Sequence, residues 1–257
     1  MRILLTNDDG IDAPGLAALY EAIASLGEVH VVAPASVQSA TSHAVTFHRP
    51  IHVQEKTVAL PSGKTFTGFA VDGRPADCVK LAVNHLVPGP IDLVVSGMNA
   101  GANVGINVIY SGTVAAAREA AFIGVPAIAV SLHVGDWDAI RWSLAAEHAR
   151  AAIGRVLMGP MQKHTLMNVN VPILDERAAP MGIAVMPTSS SSMVMEYEIT
   201  PQEGDAHTYE VRNSMTFREI AQGCDVKALI EGYTTLTPLH FNLTDADQLA
   251  AWQQFMA

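Results

Sequence analysis

The sequence predicts an α/β fold: a doubly wound, mostly parallel sheet in a three-layer arrangement, followed by a C-terminal extended arm and a terminal helix. Two observations carry this. Short apolar segments alternate with stretches of helical apolar spacing, and strand–helix–strand crossovers build parallel sheets. Hydrophobic residues make up 49% of the 257 residues and charged residues 16%, enough for a sizeable core and too apolar for a disordered chain.

In order along the chain, residues 2–6 read as a short buried strand. Helical spacing follows at 14–25, with Pro14 in the first turn and Gly27 past the end. Residues 29–33 form a second strand, and the Ser-, Thr- and His-rich stretch 34–50 reads as a loop. Residues 53–72 look like strands around a turn at Pro61-Ser62-Gly63. A helix is predicted at 75–86, a strand at 91–95, and a Gly/Asn-rich loop at 96–107. An Ala-rich helix at 113–123 leads to a strand at 127–132, a long helix at 137–158 and a strand at 166–171. The character then changes. Residues 188–223 are polar, contain Ser189-Ser190-Ser191-Ser192 and alternate weakly at 193–199, the pattern of an arm or hairpin. A short helix at 225–231, a strand at 233–238 and a terminal helix at 245–255, capped by Thr244, complete the chain. The length admits one to two domains. The predicted division is an α/β catalytic core at 1–187 and a segment 188–257 that packs on the core or on a neighbouring subunit.

Composition excludes several functions. Fifteen Lys and Arg against 25 Asp and Glu give a net charge of −10, a poor match for a nucleic-acid duplex. No apolar run reaches membrane-spanning length, and the short N-terminal run meets charge at once, so a cytoplasmic protein is expected. Cys78 and Cys224 form no CxxC and read as ordinary reduced residues. Trp137, Trp142 and Trp252 read as helix packing residues. Of the ten histidines, His43 and His48 flank the serine-rich loop and His240 follows the late strand; a surface or core role is the default for each.

Open parallel sheets bind ligands outside the carboxyl ends of their strands, and three loops there are unusual. Asn7-Asp8-Asp9-Gly10 sets two adjacent carboxylates at the end of a buried strand, where a hard divalent cation would relieve their repulsion. The alternative is a plain turn in which one Asp caps the next helix. The loop at 33–42 offers the hydroxyls of Ser36, Ser39, Thr41 and Ser42. The third loop, residues 96–105, combines Gly97, Gly101 and Gly105 with Asn99 and Asn103, pairing close backbone approach with neutral oxygen ligands. Beyond it, Ser111-Gly112-Thr113 opens a helix, either as an anion cradle or as a simple N-cap. A cation beside an anion cradle fits phosphate-ester hydrolysis and gives an acidic chain a local positive centre.

These residues carry a resemblance. ILLTNDDGIDAPGL (3–16), VVAPASVQSATS (31–42), VDGRPADCVKLA (71–82), VVSGMNAGANVGINVIYSGTVAAAREA (94–120) and GVPAIAVSL (124–132) resemble the SurE family of metal-dependent acid phosphatases acting on nucleoside monophosphates. The likeness is dense over about the first 135 residues and thinner at 168–172 and 228–239. It implies a SurE-like, Rossmann-like fold and one divalent ion per subunit, Mg²⁺ or Mn²⁺, held by Asp8, Asp9, Ser39 and Asn99. It places Ser111, Gly112 and Thr113 near the phosphate, with Asn103 orienting the site. It implies hydrolysis of a nucleoside monophosphate by a metal-activated water, with Asp8 and Asp9 as the catalytic carboxylates, and a homodimer or homotetramer. Three departures stand out. Ser39-Ala40 replaces the usual Ser-Gly, Gly105-Ile106-Asn107 replaces a stretch that usually carries an Asp, and 188–224 lacks the usual Arg- and aromatic-rich segment. Two other readings compete. A haloacid-dehalogenase-type phosphatase needs a DxD after the first strand, where this chain has Gly10. A non-catalytic nucleotide- or metal-binding regulator would show no turnover.

Overall fold

A computed structural model describes residues 1–174, 179–201, 207–211, 216–217 and 219–257. The elements begin β1 (Arg2–Thr6), α1 (Pro14–Ile23), β2 (Glu28–Pro34), β3 (Val53–Ala59), β4 (Thr65–Val71) and α2 (Pro75–Leu81), which runs into a π-helical turn at Ala82–Leu86. They continue with β5 (Leu93–Ala100), α3 (Asn107–Tyr110), α4 (Gly112–Phe122), β6 (Ala127–Leu132), α5 (Trp142–Leu157) and β7 (Leu166–Val171). The remainder holds β8 (Ile183–Val185), β9 (Met193–Val194), β10 (Tyr197–Pro201), β11 (His207–Val211), β12 (Thr216–Phe217), α6 (Asp225–Ile230), β13 (Thr234–Leu239) and α7 (Ala246–Met256). Within the arm at 188–223, residues 202–206, 212–215 and 218 lie outside the described residues. Among the described residues no helix is long and apolar enough to cross a membrane.

Nine strands form one sheet in the order β3-β4-β2-β1-β5-β6-β7-β13-β8. The six from β4 to β7 are parallel. β3 and β13 join antiparallel at either side, and β8 pairs parallel to β13. Because successive side chains leave a strand on opposite faces, each central strand feeds two cores. Ile3 and Leu5 of β1, Leu93 and Val95 of β5, and Ile128 and Val130 of β6 face α1 and α5. Leu4, Val94, Ala127 and Ala129 face α2 and α4. Ala116, Ala117, Ala120 and Ala121 give α4 an almost flat buried side, which lets it lie close to the sheet.

Several elements differ from the sequence reading, each for a local reason. β5 continues to Ala100 where a loop was expected from Ser96: after an irregularity between Ser96 and Asn99, Asn99 pairs with Ser131 and Ala100 with Leu132. α5 starts at Trp142 rather than at 137, because Asp136 accepts the Asp138 N–H at 2.9 Å and folds a turn of its own there. Asp245, not Thr244, caps α7, through the Gln248 N–H at 2.9 Å. Only Trp142 packs as expected; a Cβ on Gly15 would lie 2.6 Å from its ring. Trp137 and Trp252 are exposed. Both cysteines are free and buried.

β10 and β11 form a two-stranded hairpin, with Tyr197 opposite Val211 and Ile199 opposite Tyr209. All four of these apolar side chains are exposed. Along α7, Leu249, Trp252, Phe255 and Met256 are exposed as well.

Candidate active site

The sheet reverses its winding at β1, which has β2 on one side and β5 on the other. The loops leaving β1 and β5 therefore part company there, which opens a crevice at the carboxyl ends of the strands. Residues 7–10 occupy this place. Asn7 is fully buried and shapes the turn: its Oδ1 accepts the Gly10 N–H at 3.1 Å and its Nδ2 donates to the Gly10 carbonyl at 2.8 Å. Gly10, at φ +97°, occupies the position where a phospho-aspartate phosphatase would carry its acid.

Asp8 and Asp9 project from this turn. Asp8 is almost wholly buried, and its Oδ1 accepts a short hydrogen bond from the Thr113 hydroxyl. Burial pushes the Asp8 carboxyl up to about 6. The Thr113 bond opposes that rise, and the neighbouring Asp9 charge adds to it. Asp9 is also raised by burial, against a bond from the Ala100 N–H at 3.4 Å. Among the described residues neither carboxylate has a cationic partner. A buried carboxylate with a half-buried one beside it and no counter-charge is costly, and a bound divalent cation is the simplest way to lower that cost.

The donor set suits such an ion. Asn99 donates its Nδ2 to the Gly101 carbonyl at 2.6 Å, which leaves Oδ1 as the ligating end. Ser39 is exposed on the loop after β2, and the next residue back, Gln38, donates its N–H to the Asp8 carbonyl at 2.7 Å. No cluster of three or more His, Cys, Asp or Glu side chains occurs among the described residues. Oxygen ligands, two charged and the rest neutral or water, match a hard cation such as Mg²⁺ or Mn²⁺ rather than zinc.

The start of α4 closes the other side. Ser111 is its N-cap and accepts the Val114 N–H at 3.0 Å. Gly112 abuts Asp8 so closely that a Cβ there would lie 2.7 Å from Asp8 Cβ and 2.9 Å from Oδ2. Asn103 is buried and turned into the sheet. Its Nδ2 donates to Ser131 Oγ at 2.8 Å, and its carbonyl accepts from Asn168 and Asn170.

Other residues support the site without an obvious mark in the sequence. Asp225, fully buried, accepts the N–H groups of Gly105, Ser189 and Val226 at 2.8 Å each, tying the loop after β5 to the arm and to α6. Glu119 of α4 accepts from Lys80 and from His43 Nε2, and Arg118 donates to His43 Nδ1 at 2.9 Å. These bonds fix the far end of the serine-rich loop. They give His43 a structural place and set its tautomer, with the proton on Nε2. They also hold the Glu119 carboxyl below its usual range. The Asn168-Val169-Asn170 pattern, two amides on one face of a buried strand, was the one available signal for these supports.

A winding reversal with paired carboxylates at one strand end and a helix start across from them marks an α/β protein with its candidate site at the carboxyl ends of the strands. The family model "Survival protein SurE" matches residues 3–195. Proteins named 5'-nucleotidase SurE from Rhodopirellula baltica (44% identical, 97% of this chain and 96% of that one) and Geotalea uraniireducens (41%, 99% of each) are similar along their lengths. The crystal structure of the SurE protein from Aquifex aeolicus covers 100% of both chains at a TM-score of 0.81 and 31% identity. The chain belongs to the SurE family.

Proposed function

We propose that this SurE-family enzyme is a divalent-metal-dependent phosphomonoesterase that hydrolyses nucleoside monophosphates to nucleoside and orthophosphate. The names of its relatives support the substrate class. The observation that carries the chemistry is the Asp8–Asp9 pair at the winding reversal, Asp8 buried and Asp9 half-buried, without a cationic partner among the described residues. One Mg²⁺ or Mn²⁺ ion would be held by Asp8, Asp9, Asn99 and Ser39. When bound it would neutralise charge on the phosphoryl oxygens and supply a water nucleophile near neutral pH.

The chain's own residues do the rest. Thr113 steers the Asp8 carboxylate. Its hydroxyl and its backbone N–H are both committed to Asp8, so the Gly112 N–H at the start of α4 is the donor offered to a phosphate. Asn103 holds the loop after β5 against the ends of β6 and β7. Turnover of several nucleoside monophosphates, with chelator and with added Mg²⁺ or Mn²⁺, tests the proposal. Full activity in chelator, or none with any metal, refutes it.

The same reading extends to a homodimer or homotetramer. A lone two-stranded hairpin is marginal in water, and this one exposes Tyr197, Ile199, Tyr209 and Val211. We place these side chains against a neighbouring subunit. Tyr209→Glu would then lower the mass in solution by light scattering, and an unchanged mass would refute the placement.

A further inference from the structure

The loop that carries Ser39 is both strained and tethered. Ala40 and Ser42 sit at φ +55° and +53°, in the left-handed region that side chains disfavour. An untied surface loop would relax from such a shape. This one is tied on both sides of Ser39. Ahead of it, the Gln38 N–H donates to the Asp8 carbonyl at 2.7 Å. Behind it, Thr41 Oγ1 donates back to the Gln38 carbonyl at 2.9 Å. Ser42 donates its N–H to the Tyr110 carbonyl at 2.9 Å and its Oγ to the Ile109 carbonyl at 2.7 Å. His43 then fastens the loop to α4: its Nε2 meets Glu119 Oε2 at 2.7 Å, and its Nδ1 accepts from Arg118 Nε at 2.9 Å.

α4 therefore acts on two of the oxygen donors. Its first turn steers Asp8 through the Thr113 hydroxyl. Six residues on, about 9 Å along the axis, Glu119 and Arg118 hold His43. Between the two points Ala116 and Ala117 are fully buried against the sheet, so α4 lies fixed beneath both. Glu119 is itself buried and held by Lys80 of α2, which makes it a firm anchor rather than a mobile surface group. We infer that His43 is a positioning residue for the metal: through it α4 sets the separation of Asp8 and Ser39, and keeps the Ser39 hydroxyl where an ion on the carboxylate pair can use it. The inference rests on the metal-dependent reading and on Ser39 as a ligand. In this role His43 touches neither metal nor substrate and moves no proton.

The test reads Mn²⁺ affinity by electron paramagnetic resonance and amide hydrogen exchange in the metal-free protein, neither of which depends on turnover. With its proton on Nε2 the ring offers one donor and one acceptor, as a primary amide does. His43→Gln can thus make both bonds, and His43→Ala makes neither. In His43→Ala the Mn²⁺ affinity falls at least about tenfold, the lower end of what losing the outer partners of a metal ligand costs. The Ser42 amide exchanges at least about tenfold faster as its bond to Tyr110 opens. His43→Gln restores most of both. Ile153→Val lowers stability from the opposite core, under α5, and leaves both unchanged. Unchanged affinity in His43→Ala overturns the inference, even with faster Ser42 exchange, because the bonds of Ser42 to α3 would then suffice to place Ser39. So does a His43→Gln variant as weak as His43→Ala, or an equal loss in Ile153→Val. In each of these cases the wild type still binds Mn²⁺ and the metal-dependent reading stands. A wild type that binds no Mn²⁺ overturns both.

Discussion

Asp8→Asn is expected to stabilise the metal-free protein while abolishing its activity. The magnitude follows from the burial of Asp8. Its carboxyl lies at about 6 in the folded chain against an ordinary 3.8. At about 1.4 kcal/mol per pH unit, the folded state gives up about 3 kcal/mol to keep this group ionised at pH 7. The sign follows from proton linkage. The folded value is the higher one, so folding favours the protonated form. That contribution is complete below about pH 4 and is lost as pH rises through about 6. Asparagine is neutral throughout, and its Oδ1 still accepts the Thr113 hydroxyl. In chelator at pH 7 to 8, Asp8→Asn should therefore melt roughly 5 °C or more above wild type, given about 2–4 °C per kcal/mol for a chain of this size. The gap should close as pH falls from 6 to 4. Added Mn²⁺ should raise the melting temperature of wild type and not that of the variant, because only the pair binds the ion. Scanning calorimetry over pH 4 to 8, with and without metal, checks all three. A variant that melts lower than wild type in chelator at pH 7.5 would refute the claim that the carboxylate pair is a destabilising feature kept for binding.

Three further outcomes follow from contacts already described. Gly112→Ala drives a Cβ into Asp8, so Mn²⁺ binding followed by electron paramagnetic resonance should weaken at least about tenfold, with helix content unchanged; equal affinity would mean that Asp8 tolerates the shift. Ala40 sits at φ +55°, where side chains are strained, and Ala40→Gly should gain about 0.5–1 kcal/mol after the added unfolded-state freedom is deducted; a lower melting temperature contradicts this. Glu119→Ala removes a buried acceptor of Lys80 and His43 and should cost about 2 kcal/mol, less than a fully buried ion pair because Lys80 is 45% exposed; an unchanged melting curve would show that the serine-rich loop is held without it.

The parallel core was legible because short continuous apolar runs and crossover spacing are local signals: the strands Arg2–Thr6, Ala127–Leu132 and Leu166–Val171 are buried almost throughout and fall at the segments read from the sequence. Asp8 and Asp9 were legible for a related reason, as adjacent charges directly after a buried strand violate the pattern around them. What escaped depends on partners far along the chain. β5 keeps going past Gly97 because β6 is there to pair with Asn99 and Ala100, and nothing in 96–100 announces that. Asp225 meets Gly105 across 120 residues, and Glu119 meets His43 across 76. No periodicity spans such distances. The two exposed tryptophans escaped for the opposite reason. Trp137 sits in a turn set by Asp136, so its helical spacing relative to residues 142–157 had no consequence.

The supports around the carboxylate pair follow an electrostatic logic. The groups that bond the loops next to Asp8 and Asp9 are mostly neutral: Asn7 across its own turn, Asn99 on Gly101, Asn103 on Ser131 and Asn170, and backbone N–H groups from Gln38 and Ala100. Charged supports act at one remove: Arg74 donates to the Gln38 side chain, Asp225 accepts the Gly105 N–H, and Lys80, Arg118 and Glu119 stand at α2 and the middle of α4. A lysine or arginine among the near supports would pair with Asp8 and remove the reason for a cation to bind. A further carboxylate would lift the pair further and favour protonation over metal. Amides fix the geometry and leave the charge on the pair unspent. Replacing Asn7 with Asp should thus weaken Mn²⁺ binding and lower the melting temperature together, since a third negative charge enters a site balanced for two and the fully buried side chain, while keeping its acceptor for the Gly10 N–H, loses its donor to the Gly10 carbonyl.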